Sequence, residues 1–154
     1  MNLRYPLNGN SFLDISSDFG LRSVSPYNHG GIDIPASNVT SVYSAFDGVV
    51  VEAGDDDSRG KYVIIESSNY HVYGDSTKPL YLVYMHLSEC FVDTSDEHKK
   101  VTTTTEIGET GSDHLHFGIL DNYVEDTNDG HSNTTAEYAI DPMYFFGDYG
   151  LYDI

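Results

Sequence analysis

Two imidazoles, His114 and His116, stand two residues apart in the apolar run Thr110-Gly-Ser-Asp-His-Leu-His-Phe-Gly-Ile119. On a strand, side chains alternate between faces, so both rings project to one side while Leu115 and Phe117 project to the other. Paired imidazoles are costly to bury without partners but suit a metal or a proton relay. Exposed or hydrogen-bonded histidines on a half-wet sheet are the plainer alternative for this pair alone. Two further segments bear on the choice. In His29-x-x-x-Asp33 a glycine pair gives the backbone freedom to fold both side chains towards one point. In Tyr84-Met-His-Leu-Ser88, His86 falls at the end of an apolar run. A zinc hydrolase uses three His, Asp or Glu ligands and keeps one position for water. The four histidines and one aspartate of these segments exceed that need, so the surplus rings suit general-base and transition-state-donor roles.

The elements that must position these residues read as short strands with turns between them. Residues 32–35 follow a glycine turn. Residues 42–54 read as a strand pair bent at Asp47-Gly48, a hairpin-type dipeptide. Residues 61–67 form a β-branched strand and residues 80–87 a long aromatic and aliphatic one. Residues 89–109 carry no clear period, although Val101 and four threonines favour extended backbone. Residues 114–120 form the last strong strand. Polar loops are expected at 55–60, 68–79 and 121–139, with room for a short helix near 134–139. No helical period is convincing elsewhere, which gives an all-β fold: a single domain over residues 1–154, built as a twisted antiparallel sheet. Loops near 23–30, 68–79 and 121–139 are expected to wall a groove over its open face.

The chain has 154 residues, enough for one domain with a proper core. Its formal net charge is −18, with only 7 Lys+Arg. That balance argues against nucleic acid and anionic membrane, since both need a basic face. An anionic substrate would have to be held by a groove and not by long-range attraction. No apolar run is long enough to cross a bilayer. The opening Met-Asn-Leu-Arg-Tyr-Pro lacks the basic and apolar blocks of a secretory signal; export signalled elsewhere, a domain cut from a longer chain, and no export by that route all stay open. Cys90 is the lone cysteine and reads as a small buried hydrophobe.

These segments resemble the lysostaphin/LytM-type zinc endopeptidases of peptidoglycan. The resemblance rests on Phe19-Gly-Leu-Arg22, His29-Gly-Gly-Ile-Asp-Ile-Pro35, Ala45-Phe-Asp-Gly-Val-Val50, Gly60-Lys-Tyr-Val-Ile-Ile65, Tyr84-Met-His-Leu-Ser88, Ile107-Gly-Glu-Thr-Gly111 and His114-Leu-His-Phe117, in the family's order. Asp141-Pro142 is a fitting tail, and the family-like core covers about residues 18–146. The resemblance implies Zn2+ held by His29, Asp33 and His116, with His86 and His114 flanking it as catalytic groups. It implies hydrolysis of a peptide bond in wall stems or cross-bridges, by an extracellular or wall-associated protein, expected to be a monomer. The alternative is a non-catalytic wall-binding or regulatory domain on the same scaffold; such proteins typically lack one or more ligands, and this chain lacks none.

The chain also departs from the family pattern. The turn before His114 is only Ser112-Asp113, Gly118 stands where an acid is common, and 121–139 is unusually long and acidic. Asp113 is the candidate partner for a site imidazole. His71, His98 and His131 have no matching spacing and read as loop residues. Tyr27 and Tyr84 adjoin site motifs and suit a groove wall or a hydrogen bond to substrate, with core packing the alternative for Tyr84. Arg22 reads as a loop anchor.

Overall fold

The computed structural model describes residues 4–7, 20–21, 28–29, 31–36, 39–57, 59–68, 71–73, 76–111, 114–122 and 139–142. Among them every regular element is a strand: β1 (Gly20–Leu21), β2 (Asn28–His29), β3 (Ile32–Pro35), β4 (Ser41–Tyr43), β5 (Gly48–Asp56), β6 (Gly60–Ser67), β7 (His71–Tyr73), β8 (Ser76–Lys78), β9 (Tyr81–Cys90), β10 (Lys100–Val101), β11 (Glu106–Thr110), β12 (His114–Leu120) and β13 (Ala139–Ile140). Nine of them make one antiparallel sheet, and β1–β2 and β7–β8 are separate ribbons. The expected all-β antiparallel architecture is the one observed.

Alternation along the strands sorts the apolar residues into two buried clusters. Ile32, Ile34, Val63, Ile65, Leu82, Tyr84, Leu115, Phe117 and Ile119 join the larger core on one face. Tyr62, Ile64, Val83, Met85 and Leu120 form a smaller cluster on the other. Fully burying one such aliphatic side chain stabilises by about 1.5–3 kcal/mol, so the larger face sets the register of each strand. Tyr84 lies at its centre, with its ring 5.2 Å from that of Phe117. Its hydroxyl accepts the buried N–H of Ala45 at 2.8 Å, which makes it a core residue.

The sheet forks at β9. One edge of β9 pairs with β6 over Tyr81–Leu87. The other edge pairs with β12 from Tyr81 to Met85, then with β11 from Leu87 to Cys90. His86 is thus the one β9 residue between the Met85–His116 and the Leu87–Thr110 pairings. The outer edge of β12 pairs with β3, setting His114 against Pro35 and His116 against Asp33.

Three expectations change. Asp47-Gly48 does not make a hairpin: β4 pairs with β11, while β5 pairs with β6 and β10. Gly48 answers instead to crowding, since a Cβ there would sit 2.2 Å from the Glu66 carbonyl oxygen. The expected polar loop at 55–60 is only partly a loop: Asp55 and Asp56 finish β5, and Arg59 is buried. Part of 68–79 is the β7–β8 ribbon. The groove-walling loops otherwise fall largely outside the described residues, as do Arg22, Tyr27, Asp113, His131 and most of the expected short helix.

Two outcomes follow for stability. Tyr84→Phe strands the buried Ala45 N–H and should lower unfolding free energy by about 1–3 kcal/mol in urea titrations. Burial pushes the Tyr84 phenol well above its ordinary range, and burial with the Glu52 hydrogen bond pushes Tyr62 up from 10.0 to about 12. Both folded phenols thus resist ionisation more than unfolded ones. Their contribution is intact below pH 10 and should be lost as pH rises towards 12, read as a falling urea midpoint over that window.

Candidate active site

The site begins with the backbone of His86. Its φ is +66°, in the left-handed region that non-glycine residues rarely enter. In a regular antiparallel strand a residue's N–H and C=O point to the same neighbour. Here the His86 N–H donates to the Arg59 carbonyl at 2.8 Å, and the His86 carbonyl accepts the Gly111 N–H at 3.2 Å. The bonds run to opposite sides because His86 is the extra residue at the fork. The consequence is visible in burial: Met85 belongs to the smaller cluster, yet Leu87, two positions on, belongs to the larger. The kink releases the His86 imidazole from the pleat and leaves it half-buried beside His114 and His116. The ring centroids are 5.0 Å from His114 and 6.4 Å from His116, both edge-on.

β12 and β3 supply the other groups. Their cross-strand register sets Asp33 against His116, with Ile32, Ile34, Leu115 and Phe117 anchoring the opposite face. Asp33 Oδ1 lies 3.2 Å from His116 Nδ1 and 3.8 Å from His114 Nε2. His116 is buried at 8% exposure, whereas the His114 side chain is 31% exposed. The innermost imidazole thus adjoins the carboxylate, and the outer one faces the open side. Gly31 completes the packing: a Cβ there would stand 2.5 Å from the Phe117 carbonyl oxygen and 2.8 Å from His116 Nε2. Glycine at 31 is needed for this close approach.

Of the five residues singled out from sequence, four converge here: Asp33, His86, His114 and His116. The backbone of His29 is on β2, paired with Gly20, and its side chain lies outside the described residues. Among the described residues no three His, Cys, Asp or Glu side chains form a ready metal cage. The donor pair nonetheless fits zinc. Two ligands of a tetrahedral zinc, each about 2.0–2.1 Å from it, stand about 3.3 Å apart, and Asp33 Oδ1 and His116 Nδ1 stand 3.2 Å apart. His98 is an exposed turn residue beside Ser95 and Asp93, distant in role from this group.

Sequence reasoning misses the group behind His86. The Arg59 guanidinium lies 3.6 Å over the Tyr62 ring and binds Asp56 at 2.7 Å through both Nε and Nη2. The Asp56 carboxylate also accepts the Arg59 N–H at 2.7 Å. Tyr62 donates to Glu52 at 2.7 Å. The available signal was a lone cation inside an acidic turn, followed by Gly60 and by an aromatic two residues further on.

The sequence pattern of peptidase family M23 matches residues 27–129, a span containing every residue of this site. The chain is 31% identical over 128 residues to the peptidoglycan DD-endopeptidase ShyA of Vibrio cholerae; the match takes in 76% of this chain but only 26% of that protein, about a quarter of its length. Among solved structures, LytU superposes with a TM-score of 0.67 at 24% identity, covering 94% of each chain. The catalytic domain of the antimicrobial peptidase lysostaphin from Staphylococcus simulans gives 0.64 at 24% identity, over 85% of this chain and 90% of that one. These two likenesses establish the shared fold. With the family pattern running across both the forked sheet and the histidines at its fork, the chain belongs to peptidase family M23.

Proposed function

We propose that this chain is a single-domain, zinc-dependent endopeptidase that hydrolyses peptide bonds in peptidoglycan stems or cross-bridges, acting outside the cell or at the wall as a monomer. Family membership supports the reaction class, and the kinship with a peptidoglycan endopeptidase supports the substrate. The observation that carries the reading is the 3.2 Å pairing of Asp33 with a buried His116, flanked by two more imidazoles.

In this reading His29, Asp33 and His116 hold the metal. Bound there, zinc would polarise the scissile carbonyl and make the attacking water more acidic. The chain's own residues do the rest. His116 and Asp33 are fixed by the β3–β12 register, so the catalytic centre rests on paired strands and not on a loop. His86 and His114 stand beside that pair in a T-shaped arrangement, their ring centroids 5.0 Å apart. One ring accepts the water's proton as general base; the other donates a hydrogen bond to the developing oxyanion or a proton to the leaving amine. The chain's excess of carboxylates leaves substrate capture to short-range contacts.

Three measurements test this reading. Chelation should abolish cleavage of purified walls and added zinc should restore it; mass spectrometry of digests from several cross-link types would identify the bond. A zinc-restored protein that cleaves none of these walls, nor any glycine-rich peptide, refutes the enzyme and favours a binding domain. His86→Ala and His114→Ala should retain zinc but lose about 10²–10⁴-fold in rate, whereas Asp33→Ala and His116→Ala should lose zinc itself. Gly31→Ala presses on His116 Nε2 and should weaken zinc about 10–100-fold in competition titrations, the range seen when support for a metal ligand is disturbed.

A further inference from the structure

We propose that Arg59 is a positioning residue for His86: its clamped guanidinium fixes the β5–β6 turn, whose Arg59 carbonyl holds the His86 backbone in its left-handed conformation and so aims the imidazole at His114. The proposal rests on the reading of His86 as a catalytic group.

A left-handed non-glycine residue persists only where its surroundings over-determine it. The His86 carbonyl is held from one side by Gly111 and its N–H from the other by Arg59. Gly111 belongs to the fork. The Arg59 carbonyl belongs to a tight turn, which would let His86 relax unless the turn were itself immobilised. Four contacts immobilise it. Asp56 accepts the Arg59 N–H and also receives its guanidinium; the guanidinium lies over Tyr62, and Arg59 Nη1 is 3.7 Å from Glu52 Oε2. Tyr62 is in turn tied to Glu52 and packed among Met85 and Ile64 in the smaller cluster. Gly60 follows with φ +62°, and a Cβ there would stand 3.5 Å from His86 Cα, so the turn lies directly against the residue it holds. Arg59 is only 4% exposed in a chain with few cations. Burying an arginine is expensive unless its charge is paired, and this one is paired with Asp56 and Glu52 next to the kink in β9. A lysine cannot replace the planar fork that grips Asp56 and covers the ring together.

The test uses Arg59→Met, which keeps apolar bulk over Tyr62, and Arg59→Lys, which keeps the charge without the fork. If the first fails to fold, the second decides. Amide hydrogen exchange is measured on the intact chain, alongside zinc content and steady-state cleavage of a soluble wall peptide. The expected result is exchange at the His86 amide at least about 10-fold faster, while Leu82, Val83 and Tyr84 on the same strand keep their protection. Zinc content stays at the wild-type level. kcat falls about 10-fold or more with KM within about twofold, because misplacing a catalytic group by about 1 Å can cost up to 10²-fold in rate. Tyr62→Phe, which keeps the ring under the guanidinium, should retain His86 protection. Unchanged His86 exchange, or exchange rising evenly along β9, overturns the proposal. A wild-type chain that cleaves no wall while Arg59→Met still frees the His86 amide refutes the enzymatic reading and leaves the clamp standing.

Discussion

A strand has two hydrogen-bonding edges, and β9 divides one of them between two partners. At the division the ladder cannot continue regularly, because His86 alone stands on β9 between the Met85–His116 and Leu87–Thr110 pairings. A left-handed residue at such a point costs about 1–3 kcal/mol. Two things offset that cost here. The His86 N–H and C=O both remain hydrogen-bonded, so no buried backbone group is orphaned. The one-residue slip also returns Leu87 to the larger core after Met85 has been spent on the smaller one. The same kink releases an imidazole beside His114 and His116. The break in the ladder and the gathering of the imidazoles are one event.

The β3–β12 pairing carries the second half of the site. Its register is fixed from the far side of the sheet by Ile32, Ile34, Leu115 and Phe117, all buried. A slip of one residue would turn Asp33 and His116 into that core and expose the aliphatic residues. Apolar packing on one face thereby specifies polar geometry on the other, to the level of a 3.2 Å contact. Gly31 shows how tight the fit is, since even a methyl group would collide with both the partner backbone and the His116 ring.

The strand-forming runs at 61–67, 80–87 and 114–120 were legible because burial on one or both faces leaves an unmistakable apolar pattern. The same-face placement of His114 and His116 followed from period two alone. Other features had no local signature. Asp47-Gly48 has hairpin chemistry, but partner choice is decided across the sheet, where β5 takes β6 and β10 and β4 takes β11. The extension of β9 to Cys90 runs through polar residues that alternation alone would not claim. The strain at His86 was invisible, because a left-handed residue other than glycine carries no compositional mark. Arg59 sits among acidic residues and carries no mark of burial in the sequence; its burial depends on the Tyr62 ring beneath it.

If the site gathers zinc and a wall peptide as proposed, the acidic balance of the chain acts on both. A net charge of −18 repels an anionic wall, yet at physiological ionic strength such repulsion fades beyond about 8 Å. It slows encounter more than it weakens a complex whose contacts are made inside that distance. The same field draws divalent cations, and Asp33 adds a partly buried carboxylate where two imidazoles already offer nitrogen donors. In the proposed zinc peptidase, charge would favour filling the metal site while leaving selection of the peptide to shape and hydrogen bonding. Within that acidic field, Arg59 is placed with its charge turned inward, against Asp56 and Glu52, so it does little to attract substrate. A cation so rare in the chain and so deeply engaged serves the geometry of the fork, which is where the rigidity of the sheet is most needed.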